Sequence, residues 1–100
     1  MSFLTDRERI INFLLSLREP VDVYEIQRVA APDLRPSDIY EELEHVAKTL
    51  KRRGLKLVVV PARCRQCGYE FRDRERLKKP SKCPRCRSER IDPPKFYIEH

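Results

Sequence analysis

A chain of 100 residues that is 40% apolar and 38% charged, with two glycines and no tryptophan, has material for one modest core under a heavily charged surface. No stretch approaches a membrane span, and the start, Met1-Ser2-Phe3-Leu4-Thr5-Asp6, lacks the apolar run of a secretory leader; this argues against membrane and secreted classes and leads us to expect a cytoplasmic protein. The formal net charge of +6 is unevenly placed: residues 1–54 hold nine Lys/Arg against ten Asp/Glu, residues 55–100 thirteen against six. Abundant Arg, Lys and Glu beside one Asn, two Gln and one Met fit a thermophilic origin.

The pattern predicts a first helix over residues 5–17, with Thr5 and Glu8 as a capping box and Ile10, Phe13, Leu14 and Leu17 on one face. Ile11 and Leu15 widen that face, which suits either a well-covered central helix or a homodimer contact. Arg18-Glu19-Pro20 ends the helix, and Val21 leaves room for a minimal strand. Asp22 with Glu25 starts a short second helix to about Ala30, with Tyr24, Ile26 and Val29 as its apolar candidates. After the turn at 31–36, Pro36 opens a third helix, which runs to about Arg53 with Ile39, Leu43, Val46, Ala47 and Leu50 inward. Lys48, Lys51, Arg52 and Arg53 suit its C-terminal dipole, and Gly54 stops it. The period then changes: residues 55–60 are short and β-branched and end at Pro61, and Lys95-Phe96-Tyr97-Ile98-Glu99 forms a second strand.

Between these strands lie Cys64-Arg65-Gln66-Cys67 and, after fifteen intervening residues, Cys83-Pro84-Arg85-Cys86. A two-residue spacer lets both sulfurs of a pair turn onto one ion, and two pairs close a tetrahedron, so Cys64, Cys67, Cys83 and Cys86 are expected to hold one structural Zn²⁺, with Fe as second candidate. Four thiolates leave no open position for water or substrate, so the metal is a staple. Gly68 follows the first pair, where the chain must turn tightly. A disulfide pairing is disfavoured because nothing marks the chain as secreted.

Three helices followed by two strands is the element order of a winged helix-turn-helix. We therefore expect an α+β architecture in which residues 1–61 plus 93–100 form the winged helix and residues 62–92 form a zinc ribbon inserted between the two wing strands. Two independent beads would leave 55–60 as an unpaired apolar strand.

The chain resembles a family of small archaeal predicted transcriptional regulators, a helix-turn-helix fused to a rubredoxin-like zinc ribbon. The resemblance spans nearly the whole chain. It rests on Pro36-Ser37-Asp38-Ile39-Tyr40-Glu41-Glu42-Leu43-Glu44-His45, on Cys64-x2-Cys67-Gly68-Tyr69-x-Phe71, and on Cys83-Pro84-x-Cys86; the second knuckle departs from the rubredoxin pattern, with Arg87 where glycine is usual. It implies a winged-helix DNA-binding fold and a structural zinc.

A third helix that enters the major groove would present Ser37, Asp38, Tyr40, Glu41, Glu44, His45 and Lys48 outward. Asp38, Glu41, Glu42 and Glu44 crowd its first two turns, and a phosphate-lined groove repels such a face. The ribbon offers the opposite field: Arg63, Arg65, Arg72, Arg74, Lys82, Arg85, Arg87 and Arg90 are the candidate contacts to double-stranded DNA, since phosphate contacts need only positive charge and fixed position. Tyr69 and Phe71 are expected in the ribbon's own small core rather than stacking on bases. Catalysis is poorly supported, because His45 and His100 are the only histidines and no phosphate loop or activated nucleophile is visible. The expectation is a non-enzymatic DNA-binding regulator led by its ribbon. Its rivals are an adaptor whose third-helix face (Ser37, Asp38, Tyr40, Glu41, Glu44) meets a protein of the transcription machinery, and a rubredoxin-like electron carrier.

Overall fold

The computed structural model describes residues 4–72 and 79–99. Helix α1 (Asp6–Ser16) starts at the expected capping box: the Glu8 N–H donates to Thr5 Oγ1 over 3.1 Å and the Thr5 N–H donates to the Glu8 carboxylate over 3.4 Å. Its buried stripe is Ile10, Ile11 and Leu14, with Phe13 and Leu17 only half-buried. The widened apolar face is thus used inside the chain.

Strand β1 (Val21–Asp22) leads directly into α2 (Val23–Ala30), where the Asp22 carboxylate accepts from the Tyr24 and Glu25 N–H groups, both over 3.0 Å. The inward residues are Val23, Ile26 and Ala30, a clean three-then-four spacing, so the expected Tyr24 and Val29 are corrected: they are 47% and 58% exposed. Pairing of β1 fixes where the helix begins and therefore which face it buries.

Helix α3 (Pro36–Arg52) carries Pro36 in its first turn, and the Asp38 carboxylate accepts from the Arg35 N–H over 3.1 Å. Its end is a Schellman motif: Gly54 takes φ 76°, its N–H donates to the Lys51 carbonyl over 3.1 Å, and the Leu55 N–H donates to the Leu50 carbonyl over 2.9 Å. Ile39, Leu43, Val46 and Leu50 face inward as expected. Tyr40 is a correction. It is buried at 7% exposure, not turned outward, because its ring packs edge-on against Phe96 with centroids 6.4 Å apart.

Phe96 comes from the far end of the chain. Strand β2 (Lys56–Val60) pairs antiparallel with β5 (Lys95–Glu99), Val58 opposite Tyr97, and β5 also pairs with β1, Val21 opposite Phe96. The sheet order β1-β5-β2 puts β5 in the centre. Along β5, Phe96 and Ile98 point into a core shared with Ile10, Leu14, Ile26 and Leu43. Two further strands, β3 (Arg63–Cys64) and β4 (Ile91–Asp92), form a separate two-stranded sheet that the sequence reading did not anticipate. At two residues each they are too short to show a period. The fold is α+β, with three helices, antiparallel sheets and a ribbon carrying the cysteines. No helix among the described residues is long and apolar enough to cross a membrane.

Candidate metal centre and its basic rim

The two cysteine pairs sit on matching turns. In the first, the Gly68 N–H donates to the Cys64 carbonyl over 3.0 Å and the Cys64 N–H to the Tyr69 carbonyl over 2.8 Å. In the second, the Arg87 N–H donates to the Cys83 carbonyl over 2.8 Å and the Cys83 N–H to the Ser88 carbonyl over 2.9 Å. Each turn needs a left-handed residue right after its second cysteine. Gly68 supplies φ 80° and Arg87 supplies φ 61°. The departure from glycine at position 87 therefore leaves the turn intact, at a cost of roughly 1–2 kcal/mol for a residue with a Cβ. A Cβ at Gly68 would meet the flexible Arg63 guanidinium at 3.4 Å, close to an ordinary contact, so the demand for glycine comes from its φ.

The four sulfurs converge, all within 4.8 Å of one another, with Cys64 to Cys86 and Cys67 to Cys83 each at 3.5 Å. A zinc tetrahedron with sulfurs about 2.3 Å from the ion has edges of about 3.8 Å, so this arrangement fits one Zn²⁺. Electrostatics point the same way. The Cys67 N–H, and with it the Gln66 N–H, pulls the Cys64 thiol down to about 6. Burial raises Cys83, but the Cys86 and Arg85 N–H groups and the neighbouring thiols bring it below the ordinary thiol range. Cys86 goes the other way. The Ser88 N–H lowers it, yet burial and the three neighbouring sulfurs together push it up to about 12. Packed thiols can shed all their protons only when a cation takes the protons' place.

Among the described residues, the ribbon has only a small apolar cluster besides the cysteines. Its core is Ala62, Phe71 and Ile91 with the buried Cys64 and Cys83. Tyr69 packs edge-on to Phe71 with centroids 5.0 Å apart, so both aromatics belong to this core. A cluster this small requires the metal as a folding element.

Around the centre, Arg63, Arg65, Arg72, Lys82, Arg85, Arg87 and Arg90 are all exposed. Arg65 is ion-paired to Asp92 and Arg72 to Glu70, whereas Arg63, Lys82, Arg85, Arg87 and Arg90 have no acidic partner among the described residues. Arg74 lies outside the described residues. On α3, Ser37, Glu41 and Glu44 are exposed. Asp38 is bound to the Arg35 side chain and main-chain N–H, which hold its carboxyl below the usual range, and Glu42 accepts from Arg7 over 2.8 Å. Of the candidate α3 face only Tyr40 is turned away.

Residues 5–58 match the family described as PF0610-like, N-terminal, and residues 61–100 match the PF0610 rubredoxin-like zinc beta-ribbon domain. No curated protein matches. Among solved structures, protein PF0610 from Pyrococcus furiosus, determined in solution by NMR, is 34% identical, with a TM-score of 0.79 over 100% of this chain and 93% of that one.

Proposed function

From the premise that this chain belongs to the PF0610-like family, with one structural Zn in its ribbon, we propose that it is a non-enzymatic, DNA-binding transcriptional regulator of winged-helix type. The helices α1–α3 and the sheet β1-β5-β2 supply the winged-helix body, and the β2–β5 connection, where a wing would be, carries the ribbon.

One observation carries the reading: exposed cations with no acidic partner among the described residues, Arg63, Lys82, Arg85, Arg87 and Arg90, stand on a module whose backbone is fixed by metal. Cations already free of carboxylates can meet phosphates without first breaking an ion pair. By contrast the exposed outward residues of the first half of α3 include Glu41 and Glu44, which a major groove repels. The ribbon therefore leads the contact with duplex DNA, and the acidic face of α3 stays out of the groove.

The same acidic face favours a second reading, an adaptor that presents Glu41 and Glu44 to a basic protein. Neutralising Lys82, Arg85 and Arg90 to Gln separates the two. These three avoid both the ion pairs and the strained position 87. For a DNA contact, affinity falls for every duplex sequence, and the slope of log K against log salt shrinks by about 0.9 per lost phosphate contact. A zinc-loaded triple variant with parental affinity and slope would transfer the weight to the adaptor.

A further inference from the structure

The helical half carries a basic site of its own, which its charge total hides. A groove of about 490 Å³ between α1 and α3 is lined by Arg7, His45, Lys48, Thr49, Lys51 and Arg52. On α3, Glu42 is held by Arg7 at 2.8 Å and so is already compensated, while Glu44, one turn before Lys48, is exposed and forms no ion pair among the described residues. Arg52 donates to Thr49 Oγ1 over 3.3 Å, an uncharged partner that leaves its positive charge unneutralised. His45, Lys48 and Lys51 have no ion-pair partner among the described residues.

Cations near a helix C-terminus need no partner, because the macrodipole stabilises them by about 0.3–1 kcal/mol. That accounts for Lys51 and Arg52, which lie in the last turn. It does not account for Lys48, more than a turn from Gly54, since the dipole effect fades within the last turn; Arg7, on α1, is matched by Glu42. Along the outward side of α3, charge thus changes sign: Glu41 and Glu44 lie toward its start, Lys48 and Arg52 toward its end.

We infer that the Arg7/Lys48/Lys51/Arg52 groove is a second nucleic-acid contact, which binds backbone phosphates of the same duplex that the ribbon holds. This rests on the DNA-binding reading above. The form of the groove selects a polyanion over a small phosphate ligand. Lys48, Lys51 and Arg52 are exposed side chains on long aliphatic stems, spread along one helix, with the half-buried Arg7 on a second. A single phosphate needs convergent donors to be held; a nucleic-acid strand needs only positive charge at fixed positions along its path. The contact sits at the C-terminal half of α3, so the helix lies along the backbone with its acidic start directed away from the duplex.

The test uses the full zinc-loaded chain and a duplex of arbitrary sequence about 20 base pairs long. Lys48→Gln with Lys51→Gln removes two exposed charges while leaving the Arg7–Glu42 and Arg52–Thr49 contacts in place. The expected result is a salt slope smaller by up to about 1.8, so that affinity between 200 and 50 mM salt rises about tenfold less than for the parent. Lys48→Arg with Lys51→Arg should restore the parental slope. If the Gln pair keeps the parental slope while Lys82, Arg85 and Arg90 to Gln lowers it, DNA binding stands and the groove inference falls. If the parent binds no duplex at any salt, both readings fall together.

Discussion

Phe96→Ala tests how the chain is assembled. Position 96 falls within the segment 61–100 that matches the ribbon family, yet its side chain is fully buried in the helical core. The ring lies edge-on to Tyr40 at 6.4 Å, and its backbone is flanked in register by Val21 on one side and Val59 on the other. Removing a fully buried phenyl ring typically destabilises by about 3–5 kcal/mol, the lost transfer energy plus the cavity left behind. The central place of β5 leaves little scope for collapse, so we expect the upper half of that range. Domains of this size hold about 5–15 kcal/mol in all, and each kcal/mol moves the melting point by roughly 4–8 °C. The thermal midpoint of the zinc-loaded protein, followed by helical circular dichroism, should therefore fall by at least about 15 °C, with a matching drop in the urea midpoint. If residues 5–58 and 61–100 were independent units, the helical signal would melt as in the parent. A loss under about 1 kcal/mol in that signal would refute the shared core.

Tyr40→Phe should be neutral or stabilising by about 1 kcal/mol at pH 7, because the Tyr40 hydroxyl is buried without a hydrogen-bond partner. Burial, with a lesser push from Tyr24, raises its pKa to about 12; the Lys79 N–H lies near enough to oppose this weakly but forms no hydrogen bond with the hydroxyl. Folding thus favours the protonated phenol: the contribution is fully present below about pH 10 and is lost as pH rises toward 12, so urea melts at pH 8 and pH 11 should show a loss roughly 1 kcal/mol larger in the parent than in the variant. Arg87→Gly should raise the thermal midpoint of the zinc-loaded protein, because relief of a φ of 61° outweighs the extra chain entropy of glycine by about 0.5–1 kcal/mol; a lower midpoint would mean that the Arg87 side chain makes a stabilising contact. Stripping the metal should unfold the ribbon but only weaken the helical body. Val60 and Lys95 stay paired at the base of segment 61–94, and closing that long loop in place of a tight hairpin costs about 2 kcal/mol, readable as a lowered urea midpoint of the helical signal.

What the sequence made legible is what local chemistry decides. Thr5 and Glu8, Asp22, Pro36 and Gly54 mark helix ends because caps and left-handed turns are made by neighbours in the chain. The four cysteines declare their site because ligand spacing is itself local. Tyr40 was misplaced for the opposite reason. Nothing within a turn of it is its partner; Phe96, fifty-six positions away, is what draws the ring inward. On α2, Ile26 faces inward as the sequence suggests, but Val23 and Ala30 take the places expected of Tyr24 and Val29, since the pairing of Val21 with Phe96 helps set where Val23 points. The groove between α1 and α3 was hidden too, because Arg7 meets Glu42 only after folding, across thirty-five positions.

Charge counting has the same limit, and it bears on how this surface works. By count the ribbon half is strongly basic and the helical half is slightly acidic. Pairing redistributes that charge. Arg65 and Arg72 are taken up by Asp92 and Glu70 in the ribbon, while Glu42 and Asp38 are taken up by Arg7 and Arg35 in the helices. Among the described residues, exposed and without an ion pair, are a set of ribbon cations, a basic end of α3, and carboxylates that include Glu41 and Glu44 toward the start of α3. A polyanion meeting this surface is attracted at two places and repelled at a third, so its orientation is set by the repulsion as much as by the attraction. On the proposed DNA-binding reading, the acidic turns of α3 would act as a spacer that keeps a duplex off the helix start and leaves the ribbon and the far end of α3 to hold it.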